Sequence, residues 1–313
     1  MNFTNNEKHY NTLNNYYKFK YNKKVFKISL NGNFTCPNKD GKKGYGGCSY
    51  CSSLGSGDFA GDVLKPLNEQ FFLVKEMMEK KWPDAYYIPY FQANTNTYAS
   101  IDVLKEKFES VINLDPKIVM ISISTRPDCI DDEIAKYLGE LNKKIPVQVE
   151  LGLQTIHDST IKLINRCSTN QEFEDAVLKL TKENIEIVVH IINGLPYETK
   201  EMMLETISYI NKFKISGIKI HLLHLLSDTK MGNDYLKNPF PLLSLEEYVD
   251  IVVSQLRLLR EDIIVHRVTG DAPKELLIEP KWSLKKFVVM NEIDKLMRKK
   301  KAYQGDLYKG QTS

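Results

Sequence analysis

Residues 25–51, VFKISLNGNFTCPNKDGKKGYGGCSYC, decide the fold, because a short apolar run leads straight into a loop rich in glycine and cysteine. The run at residues 25–30 has the composition of a buried strand. Similar runs follow at residues 86–91, 118–124, 147–153, 185–192 and 218–225. Amphipathic helical patterns lie between them, near residues 67–81, 101–112, 131–141, 171–183 and 200–213. Strands that alternate with helices predict a mainly parallel sheet.

Six βα units are too few for a closed eight-stranded barrel. The sequence therefore predicts an α/β fold, either an open partial (β/α)6 TIM-like barrel or a doubly wound sheet. After about residue 230 the pattern changes to a helix at 245–260, a short strand at 263–268 and a last helix at 284–300. We interpret residues 1–24 as an N-terminal strap and residues 25–230 as the barrel. Residues 231–313 are predicted to be a C-terminal α/β extension that caps it.

Composition and charge point to an ordinary globular protein. The 313 residues carry a formal net charge of +3, which neither requires nor excludes a nucleic-acid partner. The N-terminus lacks the apolar core of a signal peptide, and no apolar run is long enough to span a bilayer. We therefore expect a cytoplasmic protein without a membrane partner. Its five cysteines would then be reduced, and their close spacing favours a metal site or catalysis.

Three cysteines of the loop, Cys36, Cys48 and Cys51, follow the pattern C-x11-C-x2-C. Three thiolates fit one face of a cubane iron–sulfur cluster and leave its fourth iron without a protein ligand. A structural zinc site on Cys48 and Cys51 with two other ligands is the alternative. The third cysteine in the same loop favours iron–sulfur. We interpret Cys129 and Cys167 as packed thiols without a special role.

With this loop the sequence resembles the radical S-adenosylmethionine (SAM) superfamily, and within it the YhcC/YtqA-type group, which is similar to the radical SAM domain of the Elongator catalytic subunit. Tyr50 matches the aromatic residue that precedes the last cysteine of the superfamily. The eleven-residue gap departs from the usual C-x3-C-x2-C but is typical of this group. The resemblance implies a [4Fe–4S] cluster on Cys36, Cys48 and Cys51, SAM as a cofactor, and a reducing electron donor of the flavodoxin or ferredoxin type.

The resemblance also implies SAM contacts at the ends of the strands. The sequence after the second strand replaces the Gly-Gly-Glu motif of the superfamily. The turn Gly194-Leu195-Pro196 after the fifth strand resembles the backbone bed for adenine, and Tyr197 replaces a glycine common in the group. An arginine after the fourth strand would hold the SAM carboxylate with two parallel hydrogen bonds. Helix caps, an ordinary turn or core polar groups remain alternative interpretations. The residues assigned to the cofactor are Tyr50, Gln92, Asn94, Glu150, Gln154, Arg166, His190, Gly194, Leu195 and Pro196.

For the substrate, the candidates are Lys219, His221, Arg267 and Asp271, whereas Trp282 is better explained by core packing. The resemblance implies an enzyme that cleaves SAM reductively to a 5′-deoxyadenosyl radical, which abstracts hydrogen from its substrate. Similarity to the Elongator domain suggests a tRNA nucleoside, and a small molecule stays open. Basic and aromatic residues mix at positions 16–27, where they would contact RNA or pack as a strap. The alternative function is a non-catalytic, zinc-stabilised RNA-binding protein.

Overall fold

The computed structural model describes residue 4, residues 8–55 and residues 57–310. Residues 1–3 and 5–7 of the predicted strap lie outside the described residues. The strands of the described residues are β1 (Val25–Leu30), β2 (Tyr86–Phe91), β3 (Ile121–Thr125), β4 (Val147–Gln154), β5 (Glu186–Asn193), β6 (Gly217–Leu222), β7 (Leu225–Leu226), β8 (Ile264–Arg267) and β9 (Leu277–Glu279). Their α-helices are α1 (Leu13–Tyr21), α2 (Leu67–Glu79), α3 (Ile101–Ile112), α4 (Asp132–Lys144), α5 (Asp158–Leu163), α6 (Asn170–Lys182), α7 (Lys200–Ile210), α8 (Lys230–Lys237), α9 (Leu245–Leu258) and α10 (Lys286–Lys299).

Seven of the strands in the described part of the chain form one parallel sheet in the order β1-β2-β3-β4-β5-β6-β8, while β7 pairs with β9 in antiparallel fashion. Val25 lies opposite Tyr86 in the first pair of strands, and Ile121 lies opposite Val147 in the third. Each strand up to β6 is beside the one that precedes it in the chain. This order confirms the predicted α/β partial TIM-like barrel. A doubly wound sheet would reverse its strand order, so that alternative is wrong.

Several short elements differ from the sequence prediction. Strand β3 begins at Ile121, because Ile118 makes only an isolated bridge to Tyr87. The short strand predicted at 263–268 is β8, and it joins the main sheet beside β6. Helices α1, α5 and α8 have nine, six and eight residues, which is too short for a clear helical period. The division into residues 1–24, 25–230 and 231–313 stays a prediction.

The chain divides into two compact units, each with its own core. The first unit comprises Tyr17–Gly152 and Asn165–Val188. Its core contains fully buried rings, among which Phe91 and Phe108 lie 4.9 Å apart between centroids. The second unit comprises the described residues up to Tyr16, Leu153–Ile164 and the described residues from Val189 onward. Its core includes the fully buried Tyr248, whose hydroxyl donates to the carbonyl of Val268 at 2.9 Å.

In the first unit, the loops after β1, β2 and β3 leave the carboxyl edge of the sheet, where α/β folds collect their functional residues. Helix α1 precedes the opposite, amino end of β1. The carbonyl of Lys24 there accepts from the backbone N–H of Tyr86 at 2.8 Å. Tyr17 is buried and Tyr21 packs edge-on against Tyr86, so these rings of the basic segment serve packing. No helix of the described residues has the length and apolar character needed to cross a membrane.

Candidate cluster and cofactor site

The cysteine loop follows β1 directly and holds three half-buried thiols, Cys36, Cys48 and Cys51. Tight turns shape it, since the backbone N–H of Cys51 donates to the carbonyl of Cys48 at 3.0 Å. Gly46 and Gly47 have φ values of +75° and +79°, a backbone conformation that favours glycine. The glycines thus allow the loop to fold back on itself between its cysteines.

The surroundings of Cys48 favour a thiolate. Hydrogen bonding from the Cys51 thiol, together with Arg126, Tyr50 and Asn38, lowers the pKa of Cys48 to about 6, although burial opposes this. The Asn38 amide donates to the Cys48 sulfur at 3.5 Å. Burial and the two neighbouring cysteines raise the pKa of Tyr50 well above its usual value, so its hydroxyl stays protonated and able to donate. Metal ligation requires the thiolate form, which this environment supplies.

Asn165, in the turn before α6, clamps the cysteine loop with two hydrogen bonds. Its carbonyl accepts from the Asn38 side chain at 2.6 Å, and its side-chain amide donates to the Gly47 carbonyl at 2.8 Å. Sequence reasoning missed this clamp, because the bonds use backbone oxygens. The only signal was the pair of asparagines, one of them two residues after Cys36.

Arg126, directly after β3, is a second residue that sequence reasoning missed. Its Nε and Nη2 atoms donate to the two carboxylate oxygens of Asp128 at 2.9 and 3.0 Å, and its Nη1 donates to the carbonyl of Arg166 at 2.9 Å. Burial would lower the pKa of Arg126, but Asp128 and the thiolates of Cys48 and Cys36 raise it. Arg126 therefore remains a fixed cation close to two of the cluster ligands.

The buried Arg166 side chain is oriented by its own turn. Its Nε and Nη2 atoms donate to the Ser168 carbonyl at 3.0 and 2.8 Å, and Nη2 also donates to the Asn170 side chain at 3.2 Å. The flanking residues Asn165 and Cys167 both have positive φ values. Burial lowers the pKa of Arg166, while Tyr50 and Cys48 oppose this. The structure places Arg166 with the cysteine loop, and its contact with the SAM carboxylate stays a prediction.

The residues after β2 brace the cysteine loop at both ends. The backbone N–H of Asn94 donates to the Gly55 carbonyl at 3.0 Å, and its side-chain amide donates to the Phe34 carbonyl at 3.0 Å. Gln92 is half-buried directly after the strand. Both stay predicted SAM contacts, and Asn94 has in addition a structural function in holding the loop.

Glu150, a predicted SAM contact in β4, is fully buried in a polar network of the first unit. The Lys27 ammonium is in direct contact with one of its carboxylate oxygens, and Ser122 donates to the same oxygen at 3.1 Å. The Tyr90 hydroxyl donates to the other oxygen at 2.9 Å. Lys27 also donates to Gln148 at 2.8 Å. Both carboxylate oxygens therefore have protein donors.

The remaining predicted cofactor residues belong to the second unit. Gln154 ends β4 with a φ of +65°, and Gly194 follows β5 with a φ of +80°. Leu195 is buried and Pro196 completes the turn. Gly194, Leu195 and Pro196 lie in the connection from β5 to α7, the turn that was predicted to hold adenine. Their role stays a prediction.

The four substrate candidates lie together in the second unit. Lys219 of β6 is opposite Arg267 of β8, and Arg267 donates to Asp271 at 2.9 Å. The ring of His221 lies 5.1 Å from that of His190, which was assigned to the cofactor. Burial is the main cause that lowers the pKa of His221 well below its usual value, and the neighbouring His190, Arg267 and Lys219 add to the shift. His221 is therefore a neutral imidazole at pH 7.

Trp282 packs as the sequence suggested. Its indole N–H donates to the Leu243 carbonyl at 3.1 Å, and its ring lies 5.6 Å from that of Tyr248. The half-buried ring therefore packs against the core of the second unit.

The donor set of the cysteine loop fits an iron–sulfur cluster. It offers three thiols and a fixed cation, Arg126, that offsets the charge of the thiolates. No three His, Cys, Asp or Glu side chains of the described residues converge to hold a single metal ion. A cubane spreads its three thiolates over three irons, so they need not converge on one point.

Comparisons with known proteins identify the family of the chain. Residues 42–210 match the radical SAM superfamily, and residues 215–299 match the radical SAM C-terminal domain. YtqA of Bacillus subtilis (strain 168) is 48% identical over 306 residues, which cover 98% of this chain and 95% of that protein. YhcC of Escherichia coli (strain K12) is 30% identical over 282 residues, 89% of each chain.

Two further proteins are similar to this chain at lower sequence identity. The tRNA uridine(34) acetyltransferase of Methanocaldococcus jannaschii is 24% identical over 166 residues, 52% of this chain and 30% of that protein. The structure of Methanocaldococcus infernus Elp3 with an N-terminal deletion superposes with a TM-score of 0.62 at 15% identity, over 90% of this chain and 64% of that one. This chain thus spans less than two thirds of either protein. The family implies a [4Fe–4S] cluster and SAM. The chain belongs to the radical SAM superfamily and is an enzyme of that class.

Proposed function

We propose that this enzyme cleaves SAM reductively at a [4Fe–4S] cluster on Cys36, Cys48 and Cys51 and modifies a nucleoside of tRNA. The observation that carries the proposal is the cysteine loop, in which one thiol has a pKa of about 6 beside the fixed cation Arg126. When bound, the cluster and SAM supply a 5′-deoxyadenosyl radical that abstracts hydrogen from the substrate.

The protein's own residues would bind and orient these groups. Asn38 and Tyr50 would donate hydrogen bonds to the Cys48 thiolate, while Arg126 offsets the negative charge of the ligands. Asn165 would keep the loop closed during electron transfer from a flavodoxin- or ferredoxin-type donor. We assign contacts with SAM to Tyr50, Gln92, Asn94, Glu150, Gln154, Arg166, His190, Gly194, Leu195 and Pro196.

For the substrate, the support comes from a relative and from charge. The sequence similarity to the tRNA uridine(34) acetyltransferase named above covers 52% of this chain. Lys219 and Arg267 lie together beside the neutral His221, and a polyanion such as RNA would be attracted to these cations. Asp271 would orient Arg267 through their hydrogen bond. We expect the enzyme to work in the cytoplasm, where its cysteines stay reduced.

Anaerobic reconstitution tests the chemistry. Iron, sulfide and zinc are measured, dithionite and SAM are added, and 5′-deoxyadenosine is assayed. We expect a brown protein with about four irons that forms 5′-deoxyadenosine. Cys36→Ala, Cys48→Ala and Cys51→Ala should each lose the cluster. Cys129→Ser and Cys167→Ser are matched controls, because both cysteines are half-buried near the same loop and should leave iron binding intact.

A colourless protein that holds zinc and forms no 5′-deoxyadenosine would contradict the proposal. It would favour the zinc-stabilised RNA-binding protein instead. If 5′-deoxyadenosine forms, nucleoside analysis of tRNA incubated with the enzyme then tests the substrate, and a small-molecule substrate would leave the tRNA unchanged.

A further inference from the structure

Tyr197, in the turn after β5, combines a rare backbone conformation with high exposure. Its φ is +66°, and 76% of the residue is exposed to solvent. Bulky residues seldom adopt this left-handed conformation, which glycine adopts without steric cost. A residue of this kind persists where it has a task that glycine would not fulfil, and such outliers concentrate at functional sites. The feature that Tyr197 adds in place of glycine is its aromatic side chain.

Two other rings of the second unit support one side of Tyr197. The ring of Phe240 lies 6.3 Å from that of Tyr197, and the ring of Tyr235 lies 5.2 Å from that of Phe240. Phe240 is therefore between the two tyrosines and contributes to fixing the position of Tyr197. These three residues form an aromatic cluster with one ring that remains open to solvent.

Helix α8, which contributes Tyr235 to this cluster, also carries two lysines. Helix α8 carries the exposed Lys230 and Lys237, and its one carboxylate, Asp234, pairs with Lys230 at 2.5 Å. Among the described residues no carboxylate pairs with Lys237, so the helix keeps a net positive charge. Exposed aromatic rings beside lysines are the combination that single-stranded nucleic-acid sites use, where rings stack on bases and cations contact phosphates.

We propose that Tyr197, supported by Phe240 and Tyr235, stacks on an unpaired base of RNA, while Lys230 and Lys237 contact the adjoining phosphates. The proposal deepens the proposed function and rests on it for the choice of RNA. Charge favours RNA over an aromatic peptide, because a peptide would not require the two lysines. The adenine of SAM is the other base available, since Tyr197 follows the predicted adenine turn, and its binding is therefore measured separately.

The test compares Tyr197→Gly, Tyr197→Ala and Tyr197→Phe in the reconstituted enzyme. The probes are a fluorescein-labelled single-stranded RNA of mixed sequence and the matching fully paired RNA duplex, followed by fluorescence anisotropy. We expect the Gly and Ala variants to bind the single strand about tenfold more weakly and Tyr197→Phe to bind normally, because stacking needs only the ring. Phe287→Ala is the matched control, since Phe287 of α10 is 79% exposed in the same unit and should not affect binding.

The melting temperature separates this role from a structural one. Glycine adopts a φ of +66° without strain, so Tyr197→Gly should not lower the melting temperature while it weakens RNA binding. A wild-type protein that binds no single-stranded RNA, or Tyr197 variants that bind it normally, would overturn the proposal. So would a loss of SAM affinity alone, which would assign the ring to adenine. Formation of 5′-deoxyadenosine without RNA tests the radical chemistry independently of these results.

Discussion

The buried pair of Lys27 and Glu150 gives the sharpest test of the energetics of the first unit. Lys27→Met keeps the length and apolar stem of the side chain but removes its charge. Glu150 would keep hydrogen bonds from Ser122 and Tyr90 yet lose its counter-ion, while remaining fully buried. An unpaired carboxylate in such a site is far more unfavourable than a missing surface charge.

We expect Lys27→Met to lower the free energy of unfolding by about 3 kcal/mol, the lower end of the range for breaking a buried pair. The double variant Lys27→Met/Glu150→Met should be at least about 1 kcal/mol more stable than Lys27→Met, because it no longer buries an unpaired charge. Lys144→Met is the matched control. Lys144 pairs with Glu109 at 2.9 Å in the same unit but is exposed, so its loss should change stability by less than about 0.5 kcal/mol.

The assay is urea unfolding of the reconstituted protein followed by far-UV circular dichroism. A loss below about 1 kcal/mol for Lys27→Met would refute the reasoning, since it would mean that water reaches Glu150. A double variant no more stable than Lys27→Met would refute it as well. SAM affinity, measured in the same preparations, tests the separate prediction that Glu150 contacts the cofactor.

Three further outcomes are expected. Asn165→Gly keeps the positive φ but removes the hydrogen bond to the Gly47 carbonyl. Iron release to a chelator should therefore be about fivefold faster. An unchanged rate would show that Asn165 does not hold the cysteine loop. The pKa of His224 is lowered from 6.5 to about 4, chiefly by burial. Asp271 opposes this shift, and Arg267 adds to it. His224 therefore binds a proton in the unfolded chain at a higher pH than in the folded protein. The free energy of unfolding should fall by about 3 kcal/mol as the pH drops from 6.5 to 4. Urea unfolding measured across this pH range should lose the effect in His224→Gln. Arg166→Lys should weaken SAM binding about tenfold by calorimetry, because an ammonium makes no pair of parallel bonds, and an unchanged affinity would contradict the assignment.

Long elements with a strong pattern were predictable from the sequence. Strands β1 and β2 and helix α3 have the bounds that their residues predicted, because the strands are short runs rich in apolar and aromatic residues and the helix has a clear amphipathic period. The short helices α5 and α8 gave no such signal. A segment of six or eight residues completes only about two turns, and its helical state depends on packing that no local pattern records.

Some residues of the candidate site could be selected from the sequence, and others could not. Cys36, Cys48 and Cys51 could be selected from the sequence, because thiols at close spacing carry their chemistry in the side chain, and their role as cluster ligands stays a prediction. Arg126 and Asn165 could not be selected, since each acts through a backbone carbonyl that another part of the chain supplies. The substrate candidates Lys219 and His221 are two residues apart on β6 and share a face of the strand, and the structure adds their neighbours Arg267 and His190.

The long gap between Cys36 and Cys48 has a physical consequence for the cluster. Its residues provide the Asn38 and Gly47 contacts with Asn165, and the Lys43 ammonium lies 2.7 Å from the Glu172 carboxylate. A gap of three residues, as in the usual superfamily spacing, could not span positions 38–47, over which these groups are distributed. The gap therefore braces the cluster ligands against the turn before α6, which also carries Arg166. We predict that the turn supports both the proposed cluster ligands and the proposed SAM contact Arg166, so that loosening the turn should weaken iron retention and SAM binding together.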